Sequence, residues 1–243
     1  MYITGCSQAV LARVAPDHES DPRCRTLYYG VETHDRATVT ERTDFRKSLG
    51  LAPNAKVVLH VGRYSSQKNH PGLLRIFAET RKSLPEAHLV LVGDGELRSS
   101  VEYKIREMGL TPAVSMLGFR DDVAKIMTCS DAFLFPSFHE GLPVASLEAS
   151  ASNLPLIGSN IEGTNEAIVH GKTGLLHELD DESGMADSLL RVLTNESFAE
   201  ELRTAGVKRI EDHFSVEASA QSLMKLYEDA IFGEKKPQTR QAA

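Results

Sequence analysis

Tryptophan is absent from the 243 residues, and cysteine occurs only three times, as Cys6, Cys24 and Cys129. Three scattered thiols are too few, and odd in number, for a disulfide scaffold, so free thiols in a reducing compartment are expected. No run approaches the roughly 20 apolar residues that cross a bilayer, and the opening MYITGCSQAV has no basic segment ahead of an apolar one, so neither a transmembrane segment nor a secretory leader is expected. Basic charge is in deficit, with 27 Lys and Arg against 34 Asp and Glu for a net charge of −7. Binding a nucleic acid needs clustered cations to neutralise phosphates, so no nucleic-acid partner is expected. There is no Asp-x-Asp pair and no His or Cys cluster with ligand spacing, so neither a metal nor a cofactor is expected. The chain reads as soluble and cytoplasmic, free or peripheral at the inner face of a membrane.

What is present is a rhythm. Apolar clusters of four to six residues alternate with longer segments of helical period, the pattern of a parallel sheet covered by helices on both faces. The strand candidates are 56–63, 87–95, 113–117, 131–136 and 154–159. Between them PGLLRIFAETRKSL, GELRSSVEYKIREMGL, DDVAKIMTCS and PVASLEASAS carry apolar residues at three- and four-residue intervals. Helices are expected over 180–196, 197–212 and 215–231, then a disordered polar tail over 233–243. The fold class is therefore α/β, a doubly wound parallel sheet followed by C-terminal helices. Residues 1–50 hold one strand-like piece (26–31) and one helix-like piece (8–14) around the polar stretch PDHESDPRC. They have too few apolar clusters for a core of their own and read as a fragment plus linker leading into a domain over 51–232.

Ligands of doubly wound sheets bind at the carboxyl ends of the strands, and three such ends carry unusual residues. After VVLHV, Gly62 permits a sharp turn and places Arg63 and Lys68 on one loop. There a guanidinium fork and an ammonium can converge on one anion; the alternative is two solvated cations in surface ion pairs. After AHLVLV, Gly93-Asp94-Gly95-Glu96 reads first as a tight turn into a helix. The third end is Phe135-Pro136-Ser137-Phe138-His139-Glu140-Gly141-Leu142-Pro143-Val144, running on to Glu148. Pro143 suits the first position of a helix, so amides around Gly141 and Leu142 face an anion site at its positive end. Glu148 falls about 7.5 Å further along that helix, at ~1.5 Å per residue. Two carboxylates bracketing free amides match a diphosphate with a sugar ring at either end, because a carboxylate accepts from two vicinal hydroxyls. A capping acid plus an exposed helix acid is the plainer alternative for Glu140 and Glu148. His139 reads as a loop histidine with sugar contact as the lesser option, and His60 and His88 as packed or hydrogen-bonded residues of strands.

The segments GRYSSQKNH, LVGDGELR, LGFRDDV, SDAFLFPSFHEGLPVASLEASASNLPLIGS and GTNEAIVHGKTGLL, in this order and with seven residues between Glu140 and Glu148, resemble the donor domain of retaining GT-B glycosyltransferases of family four. The polysaccharide-assembly branch is the most similar. The resemblance implies a Rossmann-like donor half that transfers a sugar from a nucleotide sugar, weighted towards a uridine nucleotide, to a glycan or lipid-linked acceptor with retention. It assigns Glu140 to the donor sugar, Glu148 to the ribose, and Arg63 and Lys68, beside Gly62, to the diphosphate. Gly141, Leu142 and Val144 go to the sugar and distal phosphate, and Phe119 and Arg120 to the loop beside the base.

A complete member of that family has two Rossmann-like domains around a cleft. By the same resemblance Cys6-Ser7-Gln8-Ala9 matches the start of the last acceptor-domain helix, and Tyr28-Tyr29-Gly30-Val31-Glu32 the segment crossing between domains. Most of the acceptor domain is expected to be missing, and the last helix, with Val216, Leu223, Leu226 and Tyr227, to have lost cover. Two classes of function follow: a glycosyltransferase donor half, truncated or paired with a separate acceptor domain, and a nucleotide-sugar-binding domain without turnover. A nucleotide-sugar epimerase of related fold fits the motifs less well.

Overall fold

The computed structural model describes residues 1–233. Six strands, β3 (Lys56–Val61), β4 (Ala87–Val92), β5 (Val114–Gly118), β6 (Ala132–Phe135), β7 (Leu156–Ser159) and β8 (Leu175–His177), form one sheet in the order β5-β4-β3-β6-β7-β8. Every neighbouring pair is parallel. Such a sheet needs cover on both faces, and the strand sequences provide for it. Val58, Leu89, Leu91, Ala132 and Leu134 point into one core cluster, whereas Val57, Leu59, Val90, Val92, Phe133 and Phe135 point into the other. The first face is closed by α3 (His70–Ser83), α4 (Arg98–Glu107) and α8 (Glu182–Thr194), the second by α5 (Val123–Cys129) and α6 (Val144–Ala151), while α9 (Glu196–His213) serves both, with Ala199 and Leu202 in the first cluster and Ile210 in the second.

Helix α3 shows how local sequence fixes an element. Asn69 takes the left-handed conformation at φ 50°, and its Oδ1 accepts from the Gly72 amide at 3.1 Å. Pro71 stands in the first turn, where a missing N–H costs nothing. Leu73, Leu74, Ile76 and Phe77 then bury one face.

The first 50 residues differ from the expectation in detail. The strand expected over 26–31 is only β2 (Cys24–Thr26), paired in parallel with β1 (Ile3–Gly5). Helix α1 (Gln8–Val14) connects them; the Leu27 amide still donates to the Gly5 carbonyl of β1, and from Val31 on the chain bonds singly to distant elements, Val31 N–H to the Phe214 carbonyl and His34 N–H to that of Ala151. A helix that periodicity did not announce, α2 (Val39–Ser48), follows a Thr38/Glu41 capping box. It is held less by apolar burial than by charge: Asp131 accepts from Arg42, from Arg46 Nη2 at 2.6 Å and from the Val57 amide at 2.7 Å. Val31, with Phe45, Leu49 and Leu51 packed alongside, joins the second core cluster, so this segment borrows the sheet's core. Strand β8 is likewise absent from the strands expected from sequence.

Helix α7 (Thr164–Ala167) follows β7, and α10 (Val216–Phe232) ends the described chain with no buried residue. Val216, Leu223 and Tyr227 are exposed, and Leu226 is half-buried. From residue 234 on, the expected tail lies outside the described residues. Among those described, no helix is long and apolar enough to cross a membrane.

Candidate nucleotide-binding crevice

Strand order reverses between β3 and β6. Their following connections diverge and leave a crevice outside the carboxyl ends of the two strands, the usual ligand position in such sheets. The loop after β3 and the loop after β6 meet there and are stitched together. The Phe138 amide donates to the Gln67 carbonyl at 2.9 Å, Gln67 Nε2 to the His139 carbonyl at 2.8 Å, and Asn69 Nδ2 to the Pro136 carbonyl at 3.1 Å. These bonds bring Lys68 Nζ to within 2.7 Å of Glu140 Oε1, with both side chains largely buried. The ammonium also lies 4.6 Å from the centre of the Phe135 ring, within cation–π range.

Two glycines make the crevice concave. Gly93, at φ +132°, leaves its missing Cβ position 2.1 Å from the Gly62 carbonyl oxygen, and Gly163, at φ +82°, leaves its own 2.1 Å from that of Gly141. Any other residue would push these loops apart.

Beneath the cationic loop lies a buried stack. Tyr64 and His70 are 4.5 Å apart ring to ring, and His60 meets His70 edge-on at 5.1 Å. His60 Nδ1 pairs with the Leu134 carbonyl at 2.8 Å. Burial, the dominant effect, holds His60 well below the ordinary imidazole range and His70 at about 4, with the Lys68 charge acting in the same direction. Both rings are therefore neutral supports at pH 7. His88, donor or acceptor to Ser115 Oγ at 2.9 Å, is likewise depressed to about 4 by burial.

Helix α6 begins at Val144 with Pro143 as its N-cap, one position later than the sequence placed it. Among the described residues, the amides of Gly141 and Leu142 donate to no protein acceptor, so they are available to an anion. Glu148 sits on the rim of a cavity of about 360 Å³. The residue is exposed to solvent, yet partial burial of the carboxyl raises its pKa, an effect partly opposed by His34.

The remaining expected residues lie apart from this pairing. Arg63 is exposed and paired with Glu96 at 3.1 Å. Phe119 is 84% exposed. Arg120 forms a two-pronged pair with Asp122, both contacts 2.7 Å, and lines a separate cavity with Glu41 and Asp44. His139 is exposed, its carbonyl rather than its ring engaged. Gln67 and Asn69, which set the distance between the two loops, were not singled out from sequence. Asn ahead of His-Pro at a helix start is a capping signal that marks Asn69; nothing local marks Gln67.

Residues 41–209 match the family model described as Glycosyl transferases group 1. The chain is 33% identical over 210 residues to the UDP-Gal:alpha-D-GlcNAc-diphosphoundecaprenol alpha-1,3-galactosyltransferase of Escherichia coli, covering 83% of this chain and 53% of that protein. It is 27% identical over 195 residues to the N-acetyl-alpha-D-glucosaminyl L-malate synthase of Bacillus anthracis, covering 80% and 51%. The chain thus spans about half the length of these curated relatives. Among solved structures, Anabaena HepE in complex with UDP and glucose superimposes with a TM-score of 0.85 at 20% identity, over 94% of this chain and 63% of that one, which establishes a shared GT-B fold. Because the matched span runs from α2 to α9 and contains all the loops that build the crevice, the chain belongs to the glycosyl transferases group 1 family.

Proposed function

We propose that this chain is the donor half of a glycosyltransferase, binding a UDP-linked sugar for transfer with retention to a glycan or lipid-linked acceptor. The observation that carries the reading is the buried Lys68–Glu140 contact at the sheet's switch point, where a cation and a carboxylate stand beside helix-end amides that donate to no protein acceptor. The uridine nucleotide is supported by the names of the E. coli relative and of the HepE complex, and the lipid-linked acceptor by the diphosphoundecaprenol in the former. An acceptor domain, on a longer form of this chain or on a separate one, supplies the other wall of the cleft, at the cytoplasmic face of the membrane.

In this proposal the diphosphate draws Lys68 from Glu140 and Arg63 from Glu96, and lies on the amides of Gly141 and Leu142. Glu140, released, accepts hydroxyls of the donor sugar, and Glu148 accepts those of the ribose. Transfer breaks the bond between the anomeric carbon and the distal phosphate oxygen, which keeps the electron pair, and forms a bond from that carbon to the acceptor hydroxyl oxygen, whose proton passes to the departing diphosphate. Preorganised cations and amides stabilise the charge that develops there, so the reaction is proposed to run without a metal. Glu148→Ala is expected to weaken UDP binding in titration calorimetry, whereas Glu140→Ala spares free UDP and weakens UDP-glucose or UDP-galactose; the reversed pattern overturns these roles.

A further inference from the structure

The cavity below Glu148 has a wall that the α/β domain does not provide. Val144, Glu148 and Ser152, at four-residue intervals, line it along one face of α6, and Met127 of α5 lines it as well. The facing wall is the extended segment after β2, with Glu32 and His34. His34 is held there by its backbone. Its N–H donates to the Ala151 carbonyl at 2.9 Å, and its carbonyl accepts from Asn153 Nδ2 at 2.8 Å. Asn153 is itself in the left-handed conformation, at φ 57°. The half-buried imidazole is close enough to act on the Glu148 carboxyl electrostatically.

Hydrogen-bond arithmetic then singles out one side chain. A pair of vicinal hydroxyls that donates both protons to Glu148 still presents oxygen lone pairs, which a carboxylate cannot satisfy. Of the side chains lining the cavity, only His34 and Ser152 can donate. Ser152 is buried, with its hydroxyl turned towards Met127 Sδ at 3.9 Å. We infer that His34 is a specificity-determining residue of the nucleoside end of the crevice, reading the ribose hydroxyls from the wall opposite Glu148. The inference rests on the nucleotide-binding role proposed above. It makes the segment between β2 and α2 part of the donor site and not merely a connector.

The test is calorimetric titration of the full chain with UDP, with 2′,3′-dideoxyuridine diphosphate and with inorganic pyrophosphate. His34→Ala removes only the ring, because both anchoring bonds are backbone groups of residue 34. One lost hydrogen bond corresponds to about threefold to tenfold weaker UDP binding. The dideoxy nucleotide and pyrophosphate should bind as to the wild type, so the preference for UDP over the dideoxy compound shrinks. His34→Gln, which keeps a donor, should recover part of that preference. An unchanged UDP affinity in His34→Ala, or equal losses for UDP and the dideoxy nucleotide, overturns the inference while leaving the nucleotide site intact. A wild-type chain that binds no UDP overturns both readings.

Discussion

Replacing Lys68 by Met keeps most of the stem that packs near Phe135 and removes only the charge. Glu140 then keeps its carboxylate at 7% exposure with its ion-pair partner gone. Removing one member of a fully buried pair costs about 3–5 kcal/mol, chiefly for the charge left behind. The 15% exposure of the Lys68 side chain gives water a path to the vacated position, which lowers the expectation to about 2–3 kcal/mol. Glu140→Gln leaves the ammonium an amide oxygen and the same path to solvent, and should cost about 1 kcal/mol, the scale of one hydrogen bond. The double variant leaves no charge unpaired, so a cycle built from urea unfolding midpoints should give a coupling of about 1–3 kcal/mol, the range for residues in direct contact. Unfolding of Lys68→Met within about 0.5 kcal/mol of the wild type, the level of ordinary surface substitutions, with no coupling to Glu140→Gln would rule out a stabilising buried pair.

Three further perturbations probe the surrounding frame. Asp131→Asn strips the counter-charge from Arg46, which is 3% exposed, and from Arg42; chemical unfolding should show a loss of about 2–4 kcal/mol, and an unchanged midpoint would contradict the charge-based docking of α2. His88 has a folded pKa of about 4 against an unfolded 6.5, so the unfolded state binds more protons between those values. Its contribution is fully present above pH 6.5 and is lost as pH falls towards 4. His88→Gln, which keeps a partner for Ser115, should lower the slope of unfolding free energy between pH 6 and 4.5 by about 1 kcal/mol per pH unit; an unaltered slope would count against a neutral buried ring. Gly163→Ala must move the Gly141 carbonyl as well as strain its own backbone. It should cost at least about 1 kcal/mol in thermal unfolding and weaken UDP binding, and normal affinity would show that the Gly141 loop tolerates displacement.

Much of the sheet was legible because its strands are buried on both faces and read as unbroken apolar runs. Val57, Val58 and Leu59 need no knowledge of the fold to be placed inside. Helix α2 was not legible because its buried residue is Arg46, whose partner Asp131 lies 85 residues away. Three-residue β8 is too short to carry a period. Lys68 and Glu140 could be named by chemical type and position after a strand, whereas their contact depends on Gln67 and Asn69, which bond to the backbone carbonyls of His139 and Pro136. Backbone partners leave no trace in residue type. His34 was invisible for the same reason, since only the folded course of residues 30–34 past α6 sets it near Glu148.

The proposed function requires the crevice between β3 and β6 to bind a nucleoside diphosphate through Lys68. Titration calorimetry of the full chain with UDP, in the wild type and in Lys68→Ala, tests it most directly. The expected result is saturable binding with Kd between about 1 μM and 1 mM in the wild type, weakened about tenfold or more in the variant, since a charge-assisted hydrogen bond contributes ~1.5–3 kcal/mol. The absence of binding heat in the wild type at several temperatures, or equal affinity in the two proteins, would contradict it.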